Sequence, residues 1–300
     1  MQNTDSPIKI TREGDYWRGC FSAMAGLCEL LMDVDAFELA HKLTKIAYTE
    51  AKRIEQKFSR YRKDNIVFKI NNANAARIKV DEETAKLLDY AEQCYHLSDG
   101  MFDVTSGVLR EVWRFDGSDA IPTKVAVNKL LTRVGWHKLN WQRPYLSLQR
   151  QMEIDFGGIG KEYAVDRTAS LINPFVSSGV LINYGGDLFA LGSRAHGKPW
   201  EIGLDDPTAS GKKFKGTVEL CRGGVATSGD ARRYLLKDGI RYGHILNPKT
   251  GWPVKNAPRS VTVLANTCTE AGILSTFALL KGEHAESFLK EQQVNYWIYP

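Results

Sequence analysis

A glycine cluster that ends in a lysine, near the middle of the sequence, most strongly constrains how this chain can fold. Residues 155–161 read Asp-Phe-Gly-Gly-Ile-Gly-Lys and lie between an apolar segment and a segment with helical spacing. Glycines let backbone N–H groups approach an anion closely, a helix N-terminus carries partial positive charge, and Lys161 adds a full charge. The pattern predicts a strand-to-helix turn that could hold a phosphate group, although tight turns of this kind also form without any ligand.

Two well-known phosphate-binding motifs do not match this segment. A Walker loop has a glycine five positions before Gly160 and Ser or Thr after the lysine, where this chain has Asp155 and Glu162. The dinucleotide fingerprint also fails, because the glycine spacing differs and no glycine follows Lys161. The remainder of the chain must therefore indicate what the turn binds.

Apolar residues recur at helical or strand spacing along the rest of the chain. Helices are predicted at 37–58 after a cap at Asp35, at 81–99, from Thr123 to Gly135, after the glycine turn as far as Ile172, at about 270–280, and after Gly282. Strands are predicted at 28–32, 145–148, 152–156, 180–184, 200–204, 216–220, 241–246 and 260–265. This order favours an α+β fold with mainly antiparallel sheets and flanking helices. Because no Pro/Gly/Ser-rich linker divides the sequence, we expect one domain over residues 1–300.

Composition narrows the classes of partner. The net charge of +5 comes from interspersed charges and suits an anionic small molecule as well as a nucleic acid, but no nucleic-acid-binding motif accompanies it. Five scattered cysteines without a C-x-x-C pair do not predict structural zinc or a disulfide framework. No secretory or membrane-spanning apolar run is present, so the sequence predicts a cytoplasmic protein, or a periplasmic one if a leader has been removed.

Three glycine turns and one histidine are candidates for chemistry. The turns lie at 157–158, 185–187 and 223–230, each after an apolar segment, and together they could supply backbone donors to a dinucleotide. His244 lies where a predicted strand gives way to a Pro/Gly turn. A histidine there can act as a general base, although a lone histidine is also commonly structural.

Polar residues also lie beside aromatic residues at two helix ends. These segments are Phe58-Ser-Arg-Tyr61 and Phe102-Asp-Val-Thr105. Each could cap a helix or form the rim of a pocket for a flat ring. We favour capping for Asp103 and leave both readings open for Tyr61.

Taken in order, these segments resemble the FAD:protein FMN transferase (ApbE-like) family. The resemblance extends from about residue 21 to residue 282. No single segment is specific, but the ordered set is. The matching segments are 58–62, 70–71, 100–105, 134–136, 155–161 with Asp166, 183–187, 199–200, 226–230, 244–248 with Gly251, and Ser275-Thr276.

The resemblance implies a fold, a reaction and a set of site residues. The fold would be two-lobed and T-fold-like, with FAD in a cleft between the lobes. The enzyme would move FMN from FAD to a threonine of an acceptor flavoprotein and release AMP, with Mg²⁺ on the diphosphate. His244 would be the base, and the Gly160 carbonyl and the Thr276 hydroxyl would bind the metal. The implied FAD contacts are Met24, Tyr61, Asp103, Thr105, Gly160, Lys161, Asp187, Ser228, Gly229, His244 and Ile245.

Four positions depart from the family pattern, and one of them is Asn65, where a serine is common. The family's metal-binding aspartate lies four residues before the threonine matched by Thr276, where this chain has Gly272. Glu162 lies where a glycine is common, and Met24 is followed by Ala-Gly rather than by Gly-Thr. The cation would therefore lose its main anionic ligand.

Other carboxylates could replace that ligand. Glu270 would do so only if the helix began after it, because two helical positions rotate a side chain by about 200°. Asp155 and Asp230 are the other candidates. Two alternative functions follow: an FAD-binding or flavin-delivery protein without a metal site, and an FAD pyrophosphatase that yields FMN and AMP.

Overall fold

A computed structural model describes residues 7–206, 214–230 and 233–300. Its central element is an eight-stranded antiparallel sheet with the order β1-β2-β3-β7-β8-β11-β14-β15. These strands are β1 (Ile8–Glu13), β2 (Tyr16–Ala23), β3 (Gly26–Met32), β7 (Val180–Tyr184), β8 (Asp187–Ala190), β11 (Gly223–Gly229), β14 (Ser260–Ala265) and β15 (Asn295–Tyr299). The smaller sheets contain β4 (Ile78–Lys79), β5 (Asn140–Gln142) and β6 (Tyr145–Ser147), then β9 (Trp200–Asp205) and β10 (Phe214–Leu220), and then β12 (Tyr234–Lys237) and β13 (Ile240–Gly243).

In the described part of the chain, seven helices accompany the sheets, and three of them, at 37–58, 160–172 and 268–280, pack on the central sheet. The seven helices are α1 (Phe37–Phe58), α2 (Ile66–Asn71), α3 (Glu82–Leu97), α4 (Lys124–Leu131), α5 (Gly160–Ile172), α6 (Cys268–Leu280) and α7 (Ala285–Glu291). Short 3₁₀ segments span Val104–Glu111, Trp136–Lys138, Ala195–Gly197 and Gly282–His284. Within the described ranges, no helix has both the length and the apolar character needed to cross a bilayer.

Strand β7 shows how the two faces of the sheet are buried. Val180 and Ile182 belong to the main core beneath the helices, whereas Leu181 packs with the cluster formed by β9 and β10. Successive side chains of a strand point to opposite faces, so a strand covered on both sides is apolar throughout. The apolar run at 180–184 is therefore a consequence of its central position.

Helices α5 and α6 are joined by a carboxylate. Asp166 on α5 accepts hydrogen bonds from the backbone N–H groups of Cys268 and Thr269, both at 2.8 Å, and from the Thr269 hydroxyl at 2.6 Å. These are donors at the N-terminus of α6 that no helical carbonyl can satisfy. The contact fixes α6 against the helix that begins at the glycine turn.

The structure confirms the α+β prediction and most of the predicted elements. The helix at 37–58 and the strands at 180–184 and 260–265 have the predicted bounds. Asp81 and Thr123 cap α3 and α4 through their side chains. In α3 and α4 the periodicity and the capping residue agree.

Several predictions were wrong. Residues 152–156 do not form a strand, because the Asn71 side chain takes both backbone hydrogen bonds of Ile154. Asp35 does not cap α1, since Ala36 holds the N-cap position without a side-chain hydrogen bond. Helix α4 ends at Leu131 rather than near Gly135. The strands β1, β2 and β15 were not predicted from the sequence.

Candidate active site

Several turns meet at one end of the central sheet. The antiparallel register pairs Cys28 on β3 with Tyr184 on β7, and Tyr184 with Asp187 on β8. At the same end, Gly229 closes β11 opposite Ser260, the first residue of β14. Because neighbouring strands run in opposite directions, strand starts and strand ends alternate along this edge. This edge therefore brings the turn between β7 and β8 toward the Gly229 end of β11. The prediction of a glycine turn at 223–230 was wrong over 223–229, because these residues pair with β8 and β14 as strand β11.

Lys161 and Asp187 form the charged centre of this edge. The Lys161 Nζ lies 2.6 Å from the Asp187 Oδ2, and the Asp187 side chain is buried. Burial alone would lower the pKa of Lys161, but the carboxylate of Asp187 raises it above its usual value. The result is a fixed ammonium group at the start of α5, beside the glycine turn.

The glycine turn at 157–160 is held from two sides. A Cβ atom on Gly158 would lie 2.9 Å from the Phe102 ring, so only glycine fits there without a shift. The Gly157 N–H donates to Asp155 Oδ1 at 3.0 Å, and Asp155 also pairs with Arg60. Both oxygens of the Asp155 carboxylate therefore have partners within the protein and stabilise the turn.

A group of hydroxyls connects β11 to α6. The Ser228 Oγ lies 2.8 Å from the Ser275 Oγ and 3.0 Å from the Thr276 Oγ1. The Ser275 hydroxyl also donates to the Gly272 carbonyl at 2.9 Å. Two predicted site residues, Ser228 and Thr276, are therefore in direct contact.

His244 follows β13 and is largely buried. Its Nδ1 has no hydrogen-bond partner, and its ring centroid lies 6.2 Å from that of Phe115. Burial, together with the charge of Arg233, lowers the pKa of His244 to about 4. The imidazole is thus neutral near pH 7 and able to accept a proton.

Asp230 lies between His244 and the end of β11 but is not available as a ligand. Its carboxylate pairs with Arg241 at 2.9 Å and with Arg259 at 3.0 Å. A Cβ atom on Gly243 would lie 3.1 Å from the Asp230 Cβ, so the chain before His244 packs directly on this cluster. Ile245 continues from there, and its carbonyl accepts from the Val254 N–H at 3.1 Å.

Asp103 and Thr105 have structural partners. The Thr105 N–H and hydroxyl donate to Asp103 Oδ1 at 2.8 and 2.6 Å, and the Trp136 N–H donates to Asp103 Oδ2 at 2.9 Å. Both residues are buried, and Asp103 caps the 3₁₀ segment Val104–Glu111, which confirms capping. Their contact with FAD stays a prediction.

Met24, Tyr61 and Gly160 lie at the ends of elements. Met24 is in the turn between β2 and β3 with a φ of 53°, and its N–H donates to Glu55 Oε1 at 2.7 Å. Tyr61, which follows α1, is 74% exposed. Gly160 opens α5 and its N–H donates to the Phe156 carbonyl at 2.7 Å. The FAD contacts of all three residues, and the metal contact of Gly160, stay predictions.

Glu270 does not replace the missing aspartate. Helix α6 begins at Cys268, so Glu270 lies in the first turn and is rotated away from the direction of Gly272. Its Oε2 accepts from the Asn266 N–H at 3.2 Å, back toward the helix start. The described residues hold no group of three or more His, Cys, Asp and Glu side chains suited to a metal ion.

Sequence reasoning named Glu162 only as a departure from the family pattern and assigned it no role. Its side chain is buried between α5 and α6, and its Oε2 has no hydrogen-bond partner. Burial and the neighbouring charge of Asp187 raise the pKa of Glu162 above that of an ordinary glutamate. The sequence did hold a signal, because Glu162 and Gly272 both depart from the family pattern, but only the structure shows that they touch.

Comparison with known proteins places this geometry in a family. A sequence model described as the ApbE family matches residues 25–298. The FAD:protein FMN transferase of Haemophilus influenzae is 31% identical, over 77% of this chain and 70% of that protein, and that of Treponema pallidum is 29% identical, over 84% and 75%.

Solved structures have the same fold. The ApbE protein of Thermotoga maritima superposes with a TM-score of 0.84 at 30% identity, covering 94% of each chain. The apo form of the Pseudomonas stutzeri flavinyl transferase ApbE gives 0.81 at 25% identity, covering 97% of this chain and 91% of that one.

Proposed function

Because this chain belongs to the ApbE family, we propose that it is an FAD:protein FMN transferase. It moves the FMN half of FAD to a threonine hydroxyl of an acceptor protein and releases AMP. The observation that carries the proposal is the ion pair between Lys161 and Asp187 at the start of α5. Asp187 holds the Lys161 ammonium beside the glycine turn, where the remaining N–H donors of that ammonium can reach a diphosphate.

The reaction replaces the phosphoanhydride bond of FAD with a phosphoester bond to the acceptor. The acceptor hydroxyl oxygen forms a bond to the FMN phosphorus, and the bond from that phosphorus to the bridging oxygen of AMP breaks. The hydroxyl proton passes to His244, which can accept it because the imidazole is neutral. AMP leaves with the bridging oxygen.

The donor atoms near the turn suit a hard divalent cation. The family implies the Gly160 carbonyl and the Thr276 hydroxyl as ligands, and the buried, unpartnered Oε2 of Glu162 adds an anionic oxygen nearby. Oxygen ligands of this kind are those that Mg²⁺ takes in proteins. When bound, Mg²⁺ would neutralise the charge that develops on the leaving phosphate. This chain's own residues hold the diphosphate and accept the proton.

The test is an assay for covalent flavin. The protein is incubated with FAD, Mg²⁺ and an acceptor that carries the family's target threonine, and the acceptor is inspected for flavin fluorescence after denaturing electrophoresis. We expect fluorescent acceptor and one AMP for each flavin transferred. Free FMN formed without acceptor would indicate the pyrophosphatase alternative, and FAD binding without any turnover or metal dependence would indicate a flavin-delivery protein.

The proposed reaction requires a protein partner and gives a reason for the positive net charge. The partner is the acceptor flavoprotein, and the charge excess of +5 is assigned to the anionic FAD rather than to a nucleic acid. The cytoplasmic compartment stays a prediction of the sequence. Retention of DNA or RNA that weakens steeply with salt would contradict the assignment of the charge.

A further inference from the structure

The space beside Gly272 is filled by a side chain from another helix. A Cβ atom on Gly272 would lie 2.6 Å from the Cγ of Glu162 and 3.1 Å from its Oε1. Real Cβ atoms do not approach another carbon to 2.6 Å, so Glu162 in this position and any side chain at 272 exclude each other. The carboxylate of Glu162 thus lies where a residue on α6 would otherwise place its own.

The position of Glu162 is fixed by the packing of α5 against α6. Glu162 and Asp166 are four residues apart on α5 and share a face of the helix. Asp166 binds the first N–H groups of α6, so that face of α5 is held against the start of α6. Thr276 follows Gly272 by one turn of α6, on the same side of that helix.

The carboxylate has an oxygen without a partner. Glu162 is 9% exposed, and its Oε2 makes no hydrogen bond. An unpartnered buried carboxylate oxygen is costly, and folded proteins normally pair such a group or use it to coordinate a metal. The nearby ammonium of Lys161 is already engaged by Asp187 at 2.6 Å.

The other acidic side chains near the site are occupied. Asp155 pairs with Arg60, and Asp230 pairs with Arg241 and Arg259. Glu270 turns back to the start of its own helix. Among these described carboxylates, Glu162 therefore combines burial with an unused oxygen.

We infer that Glu162 supplies the anionic oxygen ligand for the divalent cation that accompanies the FAD diphosphate, reaching from α5 across Gly272. The inference rests on the proposed function, since that reaction brings the diphosphate to this edge. Mg²⁺ typically uses one or two protein carboxylates together with substrate phosphates, so a single glutamate suffices. A glutamate on α5 can reach this position because Gly272 on α6 has no side chain to block it.

A direct binding experiment tests this without relying on turnover. Mn²⁺ serves as the probe, and its binding to the protein saturated with FAD is followed by electron paramagnetic resonance. We compare the wild type with Glu162→Gln, which keeps the shape and removes the charge. The matched control is Glu50→Gln, a buried glutamate on α1 whose carboxylate pairs with Arg53.

We expect Mn²⁺ to bind Glu162→Gln at least about tenfold more weakly than the wild type, because even indirect partners of a metal contribute 10- to 100-fold to affinity. Glu50→Gln should bind Mn²⁺ as the wild type does. FAD titrations without metal should give the same affinity for all three proteins. Equal Mn²⁺ affinity of Glu162→Gln and the wild type, or no Mn²⁺ binding by the wild type with FAD, overturns the inference.

A double variant tests whether Mn²⁺ binding can be regained as well as lost. Glu162→Gly should lose Mn²⁺ binding, and the double variant Glu162→Gly with Gly272→Asp should regain most of it by presenting a carboxylate from α6. Failure of the folded double variant to regain binding would count against the inference. The proposed function fails separately, if the wild type binds Mn²⁺ through Glu162 and still transfers no FMN to any acceptor.

Discussion

At the scale of single residues, His244 combines burial with a free ring nitrogen. Its Nδ1 has no partner, and it lies next to the Asp230 cluster at the end of β11. We expect His244→Gln to lower the rate of flavin transfer by about 10²- to 10⁴-fold, the usual contribution of a general base. FAD affinity should change little, so the loss appears in kcat.

The control for this variant is His284→Gln, because the His284 side chain is 76% exposed to solvent and is none of the predicted site residues. Rates are measured with saturating FAD and acceptor. Equal kcat for His244→Gln and His284→Gln would remove His244 from the reaction and leave it as a structural histidine.

The same residue makes stability depend on pH. The folded pKa of His244 is about 4, whereas an unfolded histidine titrates near 6.5, so the unfolded chain binds the extra proton between these values. Stability is therefore full above pH 6.5 and falls as the pH approaches 4. At pH 5 the loss due to His244 is about 2 kcal/mol.

Urea unfolding at pH 7 and pH 5 measures this loss. The wild type should lose about 2 kcal/mol more between the two pH values than His244→Gln, whose amide does not titrate. Identical pH dependence in the two proteins would show that the buried histidine is not held in its neutral form.

The site residues that could be predicted from the sequence are those that lie beside a recognisable turn or strand end. Lys161, Asp187 and His244 each follow a glycine turn or a strand end that can be seen in the sequence. Glu162 could not be found in this way, because its role depends on contact with Gly272, 110 positions away (272 − 162). Such a contact is a property of helix packing, which no periodicity within either helix predicts.

At the scale of elements, the α5–α6 contact couples positions 162 and 272. Gly272→Ala should destabilise the wild type by about 1–3 kcal/mol, because the new methyl group would press on the Glu162 Cγ. In a Glu162→Ala background the same change should stabilise the protein by up to about 1 kcal/mol, since alanine favours the helix over glycine. The sign of the effect therefore reverses.

Free energies of unfolding in guanidinium chloride give the coupling. A Glu50→Gln background is the control, because distant sites are additive and the cost of Gly272→Ala should stay as in the wild type. The same cost in all three backgrounds would mean that Glu162 moves aside freely and that the two helices are not closely packed at this point.

The elements that could be predicted from the sequence are those in which local signals agree. Helix α1 has an apolar stripe over 22 residues, and α3 and α4 have side-chain caps. Residues 152–156 carry an apolar run like that of a strand, but the backbone hydrogen bonds of Ile154 go to the Asn71 side chain, and the Asp155 N–H donates to the Val104 carbonyl. Strand β1 lies at the edge of the sheet with little burial, so its sequence carries almost no apolar alternation.

At the scale of the whole molecule, the candidate site joins segments that are far apart in the chain. Met24 near the N-terminus, the turn at 157–160, Asp187 and Thr276 all lie on elements of the central sheet or on the helices that cover it. A ligand that contacts several of these segments binds only the folded chain. Binding must therefore stabilise the entire fold by mass action.

This linkage leads to a prediction about Lys161. FAD with Mg²⁺ at about 100 times the dissociation constant should raise the free energy of unfolding of the wild type by about 2.7 kcal/mol. Lys161→Gln removes the ammonium beside the glycine turn, and a tenfold loss of affinity would cut the shift at the same ligand concentration by about 1.4 kcal/mol. Because Lys161→Gln also leaves the buried Asp187 unpaired, each protein is compared with its own ligand-free value. Lys86→Gln, which breaks an exposed pair with Glu82 on α3, is the control and should keep the full shift. An equal shift in all three proteins would place the diphosphate away from Lys161.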